Sequence, residues 1–368
     1  MPPISPRIVD PNLRLYDIST RLAAYVEAVK LSETRQFNKT LEEVNRTLAK
    51  TLGKVKYETM DGLSKAKLNK LLADLRQSQL KIYSRYTKET IKRLQDFMRV
   101  DLEVNRRVWA TANYQLFLSG QIEDDEFLTD EEQAEVEEER DAIFGLAPMS
   151  HAAATEYLGD EATSDHLWAS IASAVIPATG VTISETLDGF VRSAVVTVEK
   201  VVRIGAANKQ TPSQVLKDAE NQLGVIDNQN TAVIQTTVGQ VGNEITSSVT
   251  NLLYALYRWL SVMDSRTTEI CISRNLKIYE YGKGPVPPAH IRCRSHIMPV
   301  DENAQVVNES FYKWLKNQPN RVQNDLIGRK AGEALRNNQL DGQKLIIKPM
   351  SVEDFKKSVD NILSRKKS

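Results

Sequence analysis

The sequence predicts a mostly α-helical protein with a small antiparallel β element, an α+β fold. Three observations carry this prediction. Long stretches place apolar residues three and four positions apart, which is the spacing of one helix face. Residues 259–300 depart from that spacing, with short apolar strands around a polar loop that contains prolines. The chain of 368 residues also exceeds the usual length of one domain, so we expect two or three units.

The first unit, residues 1–120, is predicted to hold long antiparallel helices after a proline-rich arm. A first helix runs from about residue 17 to Gly53, which marks its end. Its apolar face holds Leu41, Val44, Leu48 and Leu52. A second helix is predicted from about residue 64 to 108, with an apolar stripe of Leu68, Leu71, Leu75, Ile82, Tyr86 and Leu94. A short turn between two such helices predicts a hairpin.

The charges are distributed in blocks, although Lys and Arg together equal Asp and Glu over the whole chain. Residues 123–139 hold eleven Asp or Glu and no Lys or Arg, so we expect an acidic linker over residues 121–149. Residues 54–107 hold fourteen Lys or Arg against seven acids, and residues 311–368 hold thirteen against six. These blocks indicate charged partners, contacts with each other, or simply solvated helix faces.

Residues 150–310 are predicted to form a separate core module that begins with helices. Two of these helices start at an N-cap threonine with a partner three positions later, in the pairs Thr182 with Glu185 and Thr211 with Gln214. Pro212 strengthens the second start, because proline suits the first helical position. We expect a break at residues 227–230, followed by a long helix that leads to Trp259.

The segment that follows is predicted to be a small antiparallel sheet. Its strands are expected at residues 259–262, roughly 277–281, and 297–300. Between the last two strands, Gly282 and Gly284 mark a turn, and Pro287 with Pro288 stiffens the return. After the sheet, residues 311–368 are predicted to be a basic tail of short helices and turns.

Both cysteines and two of the four histidines lie in this segment. They follow the order C-x18-H-x2-C-x2-H, namely Cys271, His290, Cys293 and His296. Thiolate and imidazole groups are the ligands that tetrahedral zinc prefers, so zinc is a candidate cofactor. Because Cys271 lacks a close cysteine neighbour in the sequence, the metal-free alternatives are a buried apolar pair or two independent core thiols. If the strands pair, the two cysteines could come close, and a disulfide could then form after cell lysis.

An enzymatic alternative uses the same segment. An acid–base set for metal-assisted phosphodiester cleavage can be assembled from Asp264, Arg266, Glu269 and His290. Their spacing does not require it. Asp264 is expected to cap a turn, and Arg266, Arg292 and Arg294 to make fixed contacts with carboxylates or phosphates. Nucleophile elbows, Walker loops and dinucleotide fingerprints are absent from the sequence, so we expect no catalytic residues.

A third interpretation is a helical protein that binds DNA without reading its sequence, through the basic helix and the basic tail. The sequence contains no run of eighteen apolar residues, so we expect no membrane span. Two cysteines cannot build a disulfide framework, which fits assembly in a reducing cytoplasm.

Two strings in the segment resemble a known family, the Mu F-like minor head (head morphogenesis) proteins of tailed bacteriophages. DSRTTEIC, residues 264–271, is similar to the D-x-R-T signature of that family, and GPVPPAHIRCRS, residues 284–295, is similar to its P-P-x-H-x-x-C-R signature. The matching residues are Asp264, Arg266, Thr267, Cys271, Pro287, Pro288, His290, Cys293 and Arg294. Many relatives carry cysteine where this chain has Thr268 and Ser295, so Cys271, His290 and Cys293 are the remnant of a larger set.

The resemblance implies a structural protein of the virion, located in the capsid interior or at the portal vertex and assembled in the host cytoplasm. The implied partners are the portal protein and other head proteins, with packaged DNA as a further partner. The implied role is head assembly, DNA packaging or DNA delivery, with no catalysis and no obligatory cofactor.

Overall fold

The computed structural model describes residues 11–123, 151–158, 164–262, 267–301, 315–316, 320–327 and 329–339. The helices in these residues are α1 (Pro11–Leu52), α2 (Lys65–Glu123), α3 (His151–Leu158), α4 (Ser164–Ser173), α5 (Ile183–Ala207), α6 (Pro212–Thr250), α7 (Glu269–Arg274), α8 (Asn320–Ile327) and α9 (Arg329–Arg336). The strands are β1 (Leu256–Leu260), β2 (Ile278–Glu280) and β3 (His296–Val300). The predicted α+β class is therefore confirmed.

The two long helices of the N-terminal region pack against each other, as the apolar stripes predict. The four side chains of the predicted α1 stripe are buried, and so are most side chains of the predicted α2 stripe. A 3-10 turn, Met60–Gly62, joins the two helices, and the Met60 N–H donates to the carbonyl of Gln210 over 2.8 Å. The turn is thus anchored to the segment that leads into α6.

Helices α1 and α2 also pack against α5 and α6, and all four contribute to one apolar core. The Phe37 ring centroid lies 5.3 Å from that of Tyr86 and 5.2 Å from that of Phe190, which joins α1, α2 and α5. Helices from residues 1–120 and from residues 150–310 therefore share a core. The division of the chain into units at the acidic linker stays a prediction. Of that linker, residues 121–123 complete α2, and residues 124–149 lie outside the described part of the chain.

Both predicted capping boxes are confirmed. The Thr182 hydroxyl accepts from the Glu185 N–H over 3.3 Å, and the Glu185 carboxylate accepts from the Thr182 N–H over 2.9 Å. Thr211 and Gln214 make the same reciprocal pair at 3.2 and 2.9 Å, with Pro212 at the first helical position. These caps satisfy N–H groups that the first helical turn leaves without partners.

The predicted break at residues 227–230 is wrong, because α6 is continuous from Pro212 to Thr250. Polar residues that favour turns in isolation are held there by tertiary contacts. Asn230 is only 1% exposed, and the Arg292 guanidinium donates to the carbonyl of Asn228 over 2.7 Å. Such packing overrides a weak local preference.

Close approach between α1 and α6 depends on two glycines of α6. A Cβ at Gly242 would lie 2.7 Å from a methyl carbon of Val26, and one at Gly239 would lie 3.2 Å from the Lys30 ammonium nitrogen. Because neither glycine has a side chain, α1 passes directly over this part of α6.

The three strands form one antiparallel sheet with the order β2-β1-β3. The first strand starts at Leu256, three residues before the predicted start at 259. The prediction began too late because Arg258, a charged residue that does not fit an apolar pattern, is buried within the strand. The register pairs Trp259 with Ile297 and Leu260 with His296. Strand β3 packs on α1 and α6, so the sheet lies against the helical scaffold.

In the tail, α8 and α9 agree with the predicted short helices. In the described part of the chain, no helix combines the length and apolar character that a bilayer crossing requires.

Candidate metal centre

Three of the four predicted ligand residues converge on one point. Cys271 comes from α7, and His290 and Cys293 come from the loop before β3. The Cys271 Sγ atom lies 3.1 Å from the His290 Nε2 atom and 3.7 Å from the Cys293 Sγ atom. All three ligand atoms lie within 4.8 Å of one another. Both cysteines are free thiols, so the close pair is not a disulfide.

Helix α7 is fixed to the central strand by contacts at its C-terminal end. The Leu276 N–H donates to the carbonyl of Trp259 over 2.8 Å, and the Asn275 side-chain oxygen accepts from the Ser261 N–H over 2.9 Å. The Arg274 guanidinium lies 5.1 Å from the centre of the Trp259 ring. These contacts hold Cys271 next to β1.

The loop that carries the other two ligands is held by its own backbone and by α6. The Cys293 N–H donates to the carbonyl of His290 over 3.1 Å, and Arg292 between them takes a left-handed conformation with φ of 59°. The Arg292 N–H donates to the Thr236 hydroxyl on α6 over 2.9 Å. Upstream, the motif residues Pro287 and Pro288 are buried and joined by a cis peptide bond.

The orientation of the imidazole ring is set by its second nitrogen. The His290 Nδ1 atom lies 2.8 Å from the carbonyl oxygen of Ile291, so Nδ1 carries the proton and donates. Nε2 then faces the Cys271 sulfur with a free lone pair. A hydrogen bond of this kind from the non-ligating nitrogen is usual for metal-binding histidines, because it fixes both tautomer and ring orientation.

Two serine hydroxyls bond to Cys271, one to its sulfur and one to its carbonyl. The Ser295 hydroxyl donates to the Cys271 Sγ atom over 3.2 Å and lies 2.9 Å from the Ser261 hydroxyl. Ser261 in turn donates to the Cys271 carbonyl over 3.0 Å and accepts from the Trp259 indole N–H over 2.9 Å. This chain of bonds joins the sulfur to β1 and to the loop before β3.

The two cysteines do not have equivalent sulfur atoms. The pKa of Cys293 is lowered, chiefly by a hydrogen bond from the Cys271 thiol and further by the backbone N–H groups of Ser295 and Ala289. The pKa of Cys271 is raised, chiefly because it donates to Cys293 and also because it is buried. The site therefore favours a thiolate at Cys293, and a thiolate is the form that binds a metal.

The donor set, the hydrogen-bonded imidazole and the thiolate-stabilising N–H groups all fit a metal ion. We conclude that Cys271, His290 and Cys293 can hold one. Two sulfurs and one imidazole nitrogen suit zinc better than magnesium or calcium, which prefer oxygen ligands.

His296, the fourth predicted ligand, does not join this group. It follows Ser295 at the start of β3, and successive side chains of a strand point to opposite faces. Ser295 contacts Cys271, so His296 lies on the other face, where it lines a small cavity with Lys30 and Asn243. Both of its ring nitrogens are shielded and bond to nothing in the described residues. Burial, and secondarily the charge of Lys30, lowers the pKa of His296 to about 4.

The other motif residues contribute differently. Asp264, predicted for the acid–base set or a turn cap, and Arg266, predicted for the acid–base set or a fixed polar contact, lie outside the described residues. Thr267 donates its hydroxyl to the carbonyl of Val262. Glu269, the other carboxylate of that set, is exposed in the first turn of α7. Arg294 is half-buried and lines the same cavity as His296.

Sequence reasoning missed the scaffold residues that hold the ligand loop. The Lys30 ammonium donates to the Cys293 carbonyl over 3.2 Å, and the Asn243 amide donates to the Ser295 carbonyl over 3.4 Å. Neither residue is near the loop in sequence. The glycines of α6 at positions 239 and 242 were the available signal, because they allow α1 to reach the loop.

Comparisons of the chain with protein-family models, with curated proteins and with solved structures found no match. The Mu F-like resemblance therefore stays a prediction that depends on the two strings. The structure adds a spatial relation between them, because Cys271 comes from the first string and the two other ligand residues come from the second.

Proposed function

We propose that this chain is a structural and interaction protein of a tailed-phage head, in which the long helices present a compact β-containing module to the portal or to other head proteins. The two motif strings support this assignment. The observation that carries it is their convergence, because Cys271 of the first string meets His290 and Cys293 of the second within 4.8 Å.

The surroundings of the metal centre favour a structural role over a catalytic one. Cys271 and Cys293 are each 2% exposed and pack with Trp259, with Tyr279 and Ala289 at the edge of this cluster. Among the described residues, no carboxylate joins the ligand group to act as a general base. Structural zinc is usually held by four protein ligands, and the three found here leave one position of a tetrahedral ion open. The structural assignment therefore rests on the burial of the two sulfurs and on the lack of a carboxylate beside them in the described residues.

We propose Zn²⁺ as the ion. It would link α7 to the loop before β3 through the Cys271 and Cys293 sulfurs and the His290 Nε2 atom. Structural zinc contributes directly to folding free energy, because the ligands are separated in the unfolded chain. Elemental analysis of the purified full-length protein is expected to find one zinc per chain, and the Cys271→Ser/Cys293→Ser double variant is expected to hold none.

The virion assignment is tested with particles of the phage or prophage that encodes this chain. Mass spectrometry of gradient-purified particles is expected to detect the protein at low copy, together with the portal protein. A phage protein that is expressed but is not part of the particle serves as the negative control. Detection of the chain in the lysate but not in the particles contradicts the proposal.

The nuclease alternative is separated by a plasmid-nicking assay with the zinc-loaded protein. We expect no nicking above a buffer control. The enzymatic proposal would replace the structural one on two results together. Nicking would have to disappear in His290→Ala, and the zinc-stripped parent protein would have to regain it when zinc is added.

Packaged DNA is proposed as a further partner through the outer surface of α2. Its exposed lysines include Lys65, Lys70, Lys81, Lys88 and Lys92. Contacts of lysine with DNA phosphates are independent of sequence and weaken steeply with salt. A filter-binding titration at low and high ionic strength is expected to show this salt dependence, and no binding at low salt would remove DNA from the partners.

A further inference from the structure

We propose that Cys271 and Cys293 have a second, metal-free state, in which hydrogen peroxide oxidises them to an intrachain disulfide. The disulfide itself rests on the geometry of the two sulfurs. Its competition with a metal rests on the zinc site proposed above. The site would then hold the module together in two alternative ways, one suited to a reducing environment and one to an oxidising environment.

The distance between the sulfurs carries the inference. The two Sγ atoms are 3.7 Å apart, and both are buried. A disulfide needs about 2.05 Å between sulfurs, so the gap must close by about 1.7 Å. Shared between two side chains, this is a movement of less than 1 Å for each sulfur.

The surrounding contacts leave this movement available. The two sulfurs are in direct hydrogen-bond contact at 3.7 Å, a separation that leaves no room for an atom between them. On its other sides, the Cys271 sulfur accepts one hydrogen bond from Ser295 and lies 3.1 Å from the His290 Nε2 atom, and it can lose both contacts as it turns. The exposed neighbours of His290, namely Ile291 and Arg292, place the loop at the protein surface, where a small oxidant arrives.

The chemistry balances with one peroxide. One thiol attacks a peroxide oxygen, so an S–O bond forms as the O–O bond breaks and one water leaves. The second sulfur attacks the resulting sulfenic acid, so the S–S bond forms as the S–O bond breaks and a second water leaves. Two thiols are oxidised, one peroxide is reduced, and both thiol protons end in the two waters.

The metal-bound and disulfide states exclude each other, because a disulfide sulfur has no thiolate charge to offer an ion. Zinc is therefore expected to protect the pair, and oxidation is expected to release zinc. In both states the same link is made between α7 and the loop before β3, across the 22 positions that separate the two cysteines. Loss of the ion would thus not free the loop in an oxidising environment.

The experiment uses the full chain in two forms, stripped with a chelator under reducing conditions and loaded with zinc. After reductant is removed, each form is treated with hydrogen peroxide, and non-reducing peptide mapping and a zinc-sensitive dye follow the products. We expect a peptide that links Cys271 to Cys293 in the stripped form, reversal by dithiothreitol, and slower linkage with zinc release in the loaded form. The linked form is expected to melt at a higher temperature than the reduced, stripped form.

Two variants keep the test decisive. Cys271→Ser is expected to give no link, whereas Ser295→Ala keeps both thiols and is expected to form the link. Sulfinic or sulfonic acid on either cysteine without a link, or links only between chains, overturns the proposal. If the link forms but no zinc binds, the zinc site fails and the disulfide stands. If zinc binds but the link never forms, the zinc site stands and this inference fails.

Discussion

The ammonium nitrogen of Lys30 lies 3.2 Å from the carbonyl oxygen of Cys293, although 263 positions separate the two residues in the sequence. Lys30 is 4% exposed and pairs with Glu27, one helical turn earlier, over 2.5 Å. A buried ammonium group is costly unless it is paired, and here a carboxylate and a carbonyl satisfy it. The first helix therefore positions the metal-ligand loop directly.

Replacing Lys30 with methionine is expected to destabilise the protein and to weaken zinc binding. Methionine keeps most of the apolar stem but removes the donor, so Glu27 and the Cys293 carbonyl lose a buried partner. We expect a loss of about 1–3 kcal/mol in the free energy of unfolding. Urea unfolding with and without zinc measures it. Lys39→Met, at an exposed position of the same helix, is the control, and equal midpoints for the two variants would contradict the role of Lys30.

The local features of the fold were predictable from the sequence. Apolar spacing identified the buried faces of α1 and α2, because a helix brings every third and fourth side chain to one side. The capping boxes at Thr182 and Thr211 were predictable for the same reason, since each partner is three positions away. The false break at residues 227–230 came from applying local preference where tertiary packing decides.

The non-local features were not predictable in the same way. Spacing grouped Cys271, His290 and Cys293 correctly but added His296, whose exclusion depends on where β3 begins and hence on which face each side chain occupies. The glycines at 239 and 242 indicate a close helix contact near Asn243, but nothing in the sequence around Lys30 or Asn243 shows that the two residues reach the ligand loop. Their roles come from the packing of α1 and α6 on β3, which one sequence alone does not specify.

Replacing Ser295 with cysteine is expected to tighten zinc binding. The Ser295 hydroxyl is buried and lies 3.2 Å from the Cys271 sulfur, so a thiol there offers the ion a third sulfur and a complete tetrahedral set. We expect the affinity for zinc to increase about ten- to a hundredfold, because a fourth protein ligand adds its own contribution to the binding free energy. Competition with a chromogenic chelator measures this. Ser273→Cys, exposed on α7, provides the matched control, and an unchanged affinity in Ser295→Cys would show that position 295 does not face the ion.

His296, whose two ring nitrogens are shielded from solvent, is expected to make stability depend on pH. Its pKa is lowered from 6.5 to about 4 by burial and by Lys30, so the unfolded chain takes up a proton at a higher pH than the folded chain does. The stabilisation is fully present above about pH 6.5 and is lost as the pH falls towards 4, with a total on the order of 3–4 kcal/mol. The charged groups that line its cavity are Glu27, Lys30 and Arg294, whereas Asn243 and Thr246 of α6 are neutral.

The test of His296 compares the parent with His296→Phe in urea unfolding at pH 5 and pH 7, with chelator present to remove metal effects. Carboxylates titrate in both proteins. The change in the free energy of unfolding between pH 7 and pH 5 is therefore compared between the two proteins, and the difference is due to the imidazole. We expect the parent to lose more stability than the variant at the lower pH. Parallel pH profiles would show that protonation of His296 is not resisted by the fold.

Close packing of α1 on α6 is tested by two glycine-to-alanine changes on the same helix. Alanine at Gly224 meets no atom within 4 Å, so we expect a gain of about 0.5–1 kcal/mol from its better helix propensity. Alanine at Gly242 would place its Cβ 2.7 Å from a Val26 methyl carbon, so we expect a net loss of about 1–3 kcal/mol from overpacking. Thermal and urea unfolding measure both variants. Val26→Ala is expected to restore much of the stability of Gly242→Ala, since it removes the methyl groups that clash. Equal gains at the two glycines would instead show that α1 can move away from α6, and that the position of Lys30 over the ligand loop is not fixed by this contact.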